Sequence, residues 1–146
     1  MAFISVPLSP TPRERAPLPK GRYKLRIVEG EKRVSQNGNE YLWLTFEVIE
    51  PIEYEGRRVW DRVMLDNGWM LSRLLLSSGY IYEERIEDEE GKPTVYYIRT
   101  DTGDAYDGFY IEDLIGREVL VELRQEEWNG SIRNRIARYI TNWRDD

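Results

Sequence analysis

The sequence contains no cysteine and no histidine. Without cysteine there are no disulfides and no thiolate metal sites. Without histidine the commonest general base and the commonest transition-metal ligand are gone. Any chemistry would have to run on carboxylates, lysine, tyrosine or serine, and a serine-based triad would need a Ser-Lys variant. There is no Gly-rich phosphate loop of the P-loop type. No apolar run approaches the ~20 residues of a membrane-spanning helix. Residues 1–12 lack a basic start and an apolar centre, so they do not read as a signal peptide. The expectation is a cytoplasmic protein that makes no membrane contact, needs no cofactor or metal and is not an enzyme.

What is present is charge and aromatic surface. The chain has 146 residues, of which 33% are charged and 12% aromatic. That length fits one domain with a real core, and the aromatic content favours folding over disorder. The net charge of −6 is unevenly spread. Residues 80–115 hold 11 acids and 3 bases, whereas the other 110 residues hold 16 acids and 18 bases. The body is therefore mildly basic, and segregated charge matters more than its total.

Residues 1–19 carry five of the seven prolines, which predicts an extended arm, with Phe3, Ile4, Val6 and Leu8 able to dock. The domain proper spans 20–146, with 80–109 as an acidic insertion. Two alternating runs, 20–35 and 40–50, flank Gln36-Asn37-Gly38-Asn39. Asn-Gly suits a hairpin turn, whose central residues need positive φ. Tyr23, Leu25 and Ile27 point inward, as do Leu42, Leu44, Phe46 and Val48. Gly30 marks a bulge or bend. A third strand spans 57–65, with Asp61 falling on its apolar face, where hydrogen-bond partners near a barrel mouth would be needed. A helix follows to about Ser78, its Leu71, Leu74, Leu75 and Ser78 forming one stripe, and Trp69 and Met70 help it plug the barrel. Within the insertion, 80–86 and 94–99 read as an acidic β-hairpin. A short helical turn at 110–115, a fourth strand at 117–126, a second Asn-Gly turn and a fifth strand at 132–140 complete the chain. The order strand-strand-strand-helix-strand-strand is that of an all-β, five-stranded OB-fold barrel.

The candidate binding residues come from the outward faces. Tyr41 and Trp43 are placed for stacking on bases, each stack being worth ~1–3 kcal/mol; the alternative is an aromatic pair covering a neighbouring strand or a subunit interface. Arg58, Trp60 and Arg62 share one face of one strand, either as a phosphate–base–phosphate reader or as a cation–π ladder. Trp128 sits in the last turn, and Arg133, Arg135 and Tyr139 follow on one face of the fifth strand; the alternative is a solvated face with Trp128 folded onto the sheet. Arg22, Lys24 and Arg26 form a basic stripe that Glu29, Glu31 and Glu47 can blunt. Lys32, beyond the bend at Gly30, is counted with this basic set. Trp69 and Trp143 read as packing residues.

Several pieces resemble a bacteriophage and prophage family of small OB-fold single-stranded DNA-binding proteins, long catalogued as a domain of unknown function. They are Leu18-Pro19-Lys20-Gly21-Arg22-Tyr23, Ser35-Gln36-Asn37-Gly38-Asn39, Leu44-Thr45-Phe46-Glu47-Val48-Ile49-Glu50 and Tyr54-Glu55-Gly56-Arg57-Arg58-Val59, followed by Leu114-Ile115-Gly116-Arg117-Glu118-Val119 and Trp128-Asn129-Gly130-Ser131-Ile132-Arg133-Asn134-Arg135. The resemblance implies largely sequence-independent binding of single-stranded DNA in phage-type replication or recombination, in the host cytoplasm, without catalysis. The partners it implies are single-stranded DNA, further copies of the chain, and a replisome or recombinase protein met through 80–109. The rival readings are an OB-like protein-interaction or structural module and a carboxylate-metal nuclease.

Overall fold

The computed structural model describes Ala2 and residues 16–144. It is mostly β, with one α-helix. Strands β1 (Gly21–Val34) and β2 (Glu40–Glu50) form the long first hairpin. Its turn closes through Ser35 N–H donating to the Asn39 carbonyl at 2.8 Å, with Gly38 at φ 82°. Strand β3 (Arg58–Met64) pairs with β2, and α1 (Gly68–Ser77) follows. Asn67 caps α1 by accepting from the Met70 N–H at 3.2 Å. Then come β4 (Tyr80–Ile86), β5 (Pro93–Arg99), β6 (Ala105–Tyr106), β7 (Glu118–Trp128) and β8 (Ser131–Ile140).

The strands make two sheets. Five run in the order β3-β2-β1-β7-β8, and three in the order β4-β5-β6. The expected alternation holds along the first hairpin: Tyr23, Leu25, Ile27, Leu42, Leu44, Phe46 and Val48 are all buried. Leu74 and Leu75 of α1 close the same core.

The large sheet is open, not the closed barrel that the element order predicts. Its outer strands β3 and β8 approach within 8 Å at Cα but exchange no ladder. What joins them is a side-chain bond: the Tyr139 hydroxyl donates to the Asp61 carboxylate at 2.6 Å. Asp61 thus has the partner that its place on an apolar face demands.

Further expectations are corrected, refined or upheld, or lie outside the described residues. The bulge in β1 falls at Val28, where the register steps from Ile27↔Phe46 to Glu29↔Thr45. Gly30 serves for space, since a Cβ there would lie 2.9 Å from Leu44 Cδ2. The end of the 1–19 arm is docked: Leu18 is a core residue, its N–H donating to Asn134 Oδ1 and its carbonyl accepting from Asn134 and Gln125. Phe3, Ile4, Val6 and Leu8 lie outside the described residues. Trp69 does not pack in the plug; it is 64% exposed, beside the Arg73 guanidinium. Trp143 does pack, donating to the Ser77 carbonyl at 2.9 Å. Finally, the acidic hairpin is three-stranded, because β6 was too short to carry a periodic signal.

Burial raises the Asp61 carboxyl above the ordinary range, and the bond from Tyr139 only partly offsets this. Asp61→Ala leaves the buried Tyr139 hydroxyl without an acceptor and is expected to cost about 1–3 kcal/mol. Asp61→Asn keeps an acceptor. Because the folded pKa is raised, ionisation of Asp61 opposes folding: the group's stabilising contribution is present below its unfolded pKa of about 3.9 and is lost as pH rises through the folded value. Thermal midpoints should therefore move in favour of Asp61→Asn, relative to the natural chain, as pH rises from about 4. A difference that shrinks with rising pH would contradict this account of the pair.

Candidate nucleic-acid interface

Alternation along β3 sends Val59 and Val63 into the core and turns Arg58, Trp60 and Arg62 outward. Pairing with β2 sets Arg62 opposite Trp43, Trp60 opposite Thr45 and Arg58 opposite Glu47. This is one wall of a groove. The other is the end of the β7–β8 hairpin, whose tight turn uses Asn129 at φ 48° and Gly130 at φ 80°. The turn projects Trp128 and Ile132, which are 54% and 57% exposed, and carries Arg133 and Arg135. Ala16, Pro17 and Arg57 line the same groove, Arg57 donating to the Ala16 carbonyl at 2.8 Å. The space enclosed is ≈ 750 Å³.

Five arginines face two acids here. Glu126 is shared by Arg133 at 2.8 Å and Arg135 at 3.7 Å. Asp61 is held by Tyr139. Arg57, Arg58 and Arg62 form no ion pair among the described residues; Arg58 lies across the ladder from Glu47, whereas Arg62 lies opposite Trp43 and has no acid facing it on β2. Exposed arginine beside low-dielectric tryptophan concentrates a field that attracts anions.

The aromatic rings differ in availability. Arg33 lies 5.2 Å from the centre of the Trp43 ring, Arg62 4.5 Å from that of Tyr41, and Arg133 4.4 Å from that of Trp128. These guanidiniums already occupy positions beside the rings. Trp60 is 48% exposed and has no aromatic or cation–π partner among the described residues. It is the open platform of the groove.

Of the candidate residues read from the sequence, Trp43, Arg58, Trp60, Arg62, Trp128, Arg133 and Arg135 come together. The others do not. Tyr41 is only 7% exposed, lying under Arg62, and cannot offer a free face. Tyr139 is fully buried. The β7–β8 register steps from Glu122↔Arg138 to Leu123↔Ile136, so Ala137 is bulged out and every later side chain changes face. Arg22, Lys24 and Arg26 lie outside the groove lining, opposite acids of neighbouring strands: Arg22 faces Glu122, Arg26 faces Glu118 and Glu47, and Lys24 bonds Glu118 at 3.2 Å. Lys32 is paired with Glu40 at 2.8 Å. Arg57, Ile132 and Asn134 also line the groove, and the sequence candidates do not include them. The only sequence signal for Arg57 was its place beside Arg58, and nothing local marks Asn134 as the anchor of Leu18.

The insertion lies apart. No residue of 80–109 lines the groove. Arg117, at the root of β7, fastens the insertion by donating to Asp101 at 3.0 Å and to the Ser78 carbonyl at 3.1 Å. The pairing with Arg99 and Arg117 holds the Asp101 carboxyl well below its usual range. Among the described residues no group of three or more acids is placed to hold a metal ion.

A family model described as "Protein of unknown function (DUF669)" matches residues 10–70, which take in β1, β2, β3 and the start of α1. No curated protein matches the chain. The matched segment holds the Arg58–Trp60–Arg62 wall and stops short of the β7–β8 wall.

Two outcomes follow for the aromatic wall. Trp60→Ala should leave the unfolding free energy within about 0.5 kcal/mol of the natural chain, as an exposed site does. Trp43→Ala should destabilise measurably, because Trp43 is half-buried and packed beside Arg33. Chemical denaturation of both variants checks this, and a large loss of stability for Trp60→Ala would place that ring in the packing instead.

Proposed function

We propose that the protein binds single-stranded DNA in the groove between β3 and the β7–β8 hairpin, largely without sequence preference. The observation that carries this reading is the alternation of Arg58 and Arg62, neither in an ion pair among the described residues, with the open ring of Trp60 on one strand. Arginines on either side of a free indole offer two phosphate contacts about a stacked base. Stacking requires a base whose face is free, and a base inside a duplex has both faces covered. The groove therefore favours single strands over duplex, and stacking tolerates any base.

We further infer an OB-type fold. Its support is the sheet order β3-β2-β1-β7-β8, with α1 placed between the third and fourth strands of that sheet, and the edge-to-edge bond between Tyr139 and Asp61. In that scheme the β7–β8 turn bearing Trp128 is the loop between strands four and five, which helps hold oligonucleotides. The proposed setting is phage-type replication or recombination, where exposed strands need protection. One domain of this kind covers only ~4–16 nucleotides, so several copies would share a longer strand.

Titration with fluorescently labelled oligo(dT), followed by tryptophan emission, tests the reading. Binding should quench the emission and weaken with salt. For single strands log K falls by about 0.7 per phosphate neutralised for each unit of log salt, so three to five arginine contacts give a slope of about −2 to −4. Trp60→Ala should lose about 1–3 kcal/mol of affinity. Affinity for duplex equal to that for oligo(dT), or a flat salt response, would remove the stacking groove. Cleavage of the oligonucleotide on adding Mg²⁺ would point to the nuclease reading.

A further inference from the structure

The hairpin of the small sheet has two unlike faces. Residues paired across antiparallel strands share a face. One face carries Ile81 opposite Ile98, Glu83 opposite Tyr96 and Arg85 opposite Thr94, with Ile81 52% exposed. Its polar groups are engaged with one another: Arg85 bonds Glu83 at 3.3 Å and covers Tyr96, whose hydroxyl donates to Glu87 at 2.6 Å. The other face aligns Tyr82, Tyr97 and Tyr106 in a row, then Glu84 with Val95, then Ile86 with Pro93. Of these, Tyr82 is 55% and Ile86 71% exposed, while Tyr97 packs against the core. Glu84 lies within this apolar face and Glu89 at its tip; neither forms an ion pair among the described residues.

The groove has the complementary character. It exposes Trp60, Trp128 and Ile132, and its Arg57, Arg58 and Arg62 form no ion pair among the described residues. The segment 80–109 holds nine acids against three bases. Unpaired acids beside exposed Tyr and Ile on one surface meet unpaired arginines beside exposed Trp and Ile on the other. Within a single copy the two surfaces do not meet, since no residue of the insertion lines the groove. Face-to-face contact between two hairpins is disfavoured, because it would bring Glu84 and the acidic tips of both copies together.

We propose that the acidic hairpin of one copy docks in the arginine groove of a second copy, so that self-association and polynucleotide binding exclude each other. The inference rests on the groove being the anion-binding surface, as in the function proposed above. Carboxylates of the hairpin take the positions that phosphates would take, and the Tyr82–Ile86 face lies on the exposed indoles. The contact is heterologous: each docked pair leaves one hairpin and one groove unused, and assembly continues into short chains unless a ring closes. Single-stranded DNA would dissolve these assemblies by filling the grooves.

Sedimentation velocity on three forms of the full chain, alone and in combination, tests the idea. The natural chain should associate with rising concentration at low salt. It should dissociate when salt is raised from about 0.02 M to about 1 M, where the Debye length shrinks to about 3 Å. A hairpin variant, Glu84→Lys with Glu89→Lys, and a groove variant, Arg58→Ser with Arg62→Ser, should each raise the apparent dissociation constant by about tenfold or more. Mixed together, the two variants should form a 1:1 complex, since one retains the groove and the other the hairpin. All altered side chains are exposed, and circular dichroism confirms the fold; Arg58→Ser alone serves if the double groove variant is unstable. A natural chain that stays monomeric at low salt overturns the proposal. So does a hairpin variant that assembles like the natural chain, or a mixture that does not associate. Oligo(dT) that binds without dissolving the assembly also overturns it. If oligo(dT) does not bind at all, the single-strand reading falls, while the mixing result still decides the hairpin–groove contact.

Discussion

The bond from Tyr139 to Asp61 spans the gap between the two outer strands of a sheet that no ladder closes. Both groups are costly to bury alone. The tyrosine is fully enclosed, and its hydroxyl must find an acceptor; the carboxylate sits on an otherwise apolar strand face and must find a donor. Each solves the other's problem, and in doing so they fix how closely β3 and β8 approach. That spacing sets the groove, because β3 supplies Arg58, Trp60 and Arg62 while β8 supplies Arg133 and Arg135.

A second constraint comes from the chain ahead of β1. Leu18 is pinned by three hydrogen bonds to Asn134 and Gln125 and buried in the core. The pin holds the β7–β8 hairpin from below, and Ala16 and Pro17 then run along the groove, where the Ala16 carbonyl occupies Arg57. The groove is therefore assembled from three separated parts of the sequence. Side-chain amides and backbone carbonyls tie these parts together.

The placement of charge follows a common logic. Where a basic side chain forms an ion pair with an acid of a neighbouring strand, as Lys24, Lys32 and Arg138 do, it contributes to sheet pairing and offers little to a distant anion. Where the cross-strand neighbour is aromatic or small, as for Arg62, the cation remains available. The acidic residues removed from the groove are gathered on the β4–β5 hairpin, held at its base by the Arg117–Asp101–Arg99 network. A net charge of −6 thus coexists with a cationic cleft.

The sequence by itself determined the strands other than the two-residue β6, the turns and the helix, because period-two and helical alternation are local signals set by burying one face. The two Asn-Gly turns, the inward Leu42–Leu44–Phe46–Val48 set and the outward Arg58–Trp60–Arg62 set needed nothing else. Tertiary structure decided the rest. The bulge at Ala137 turned Tyr139 inward, and one inserted residue reverses every later side chain without leaving a mark in composition. Strand pairing decided that Arg22 and Arg26 face acids, since a neighbour across a ladder can be a hundred residues away. It also decided that Arg57 and Asn134 belong to the site, and that the sheet stays open with a side-chain bond at its edge. Local periodicity reports which way a side chain points; what it meets there is fixed only when distant strands come together.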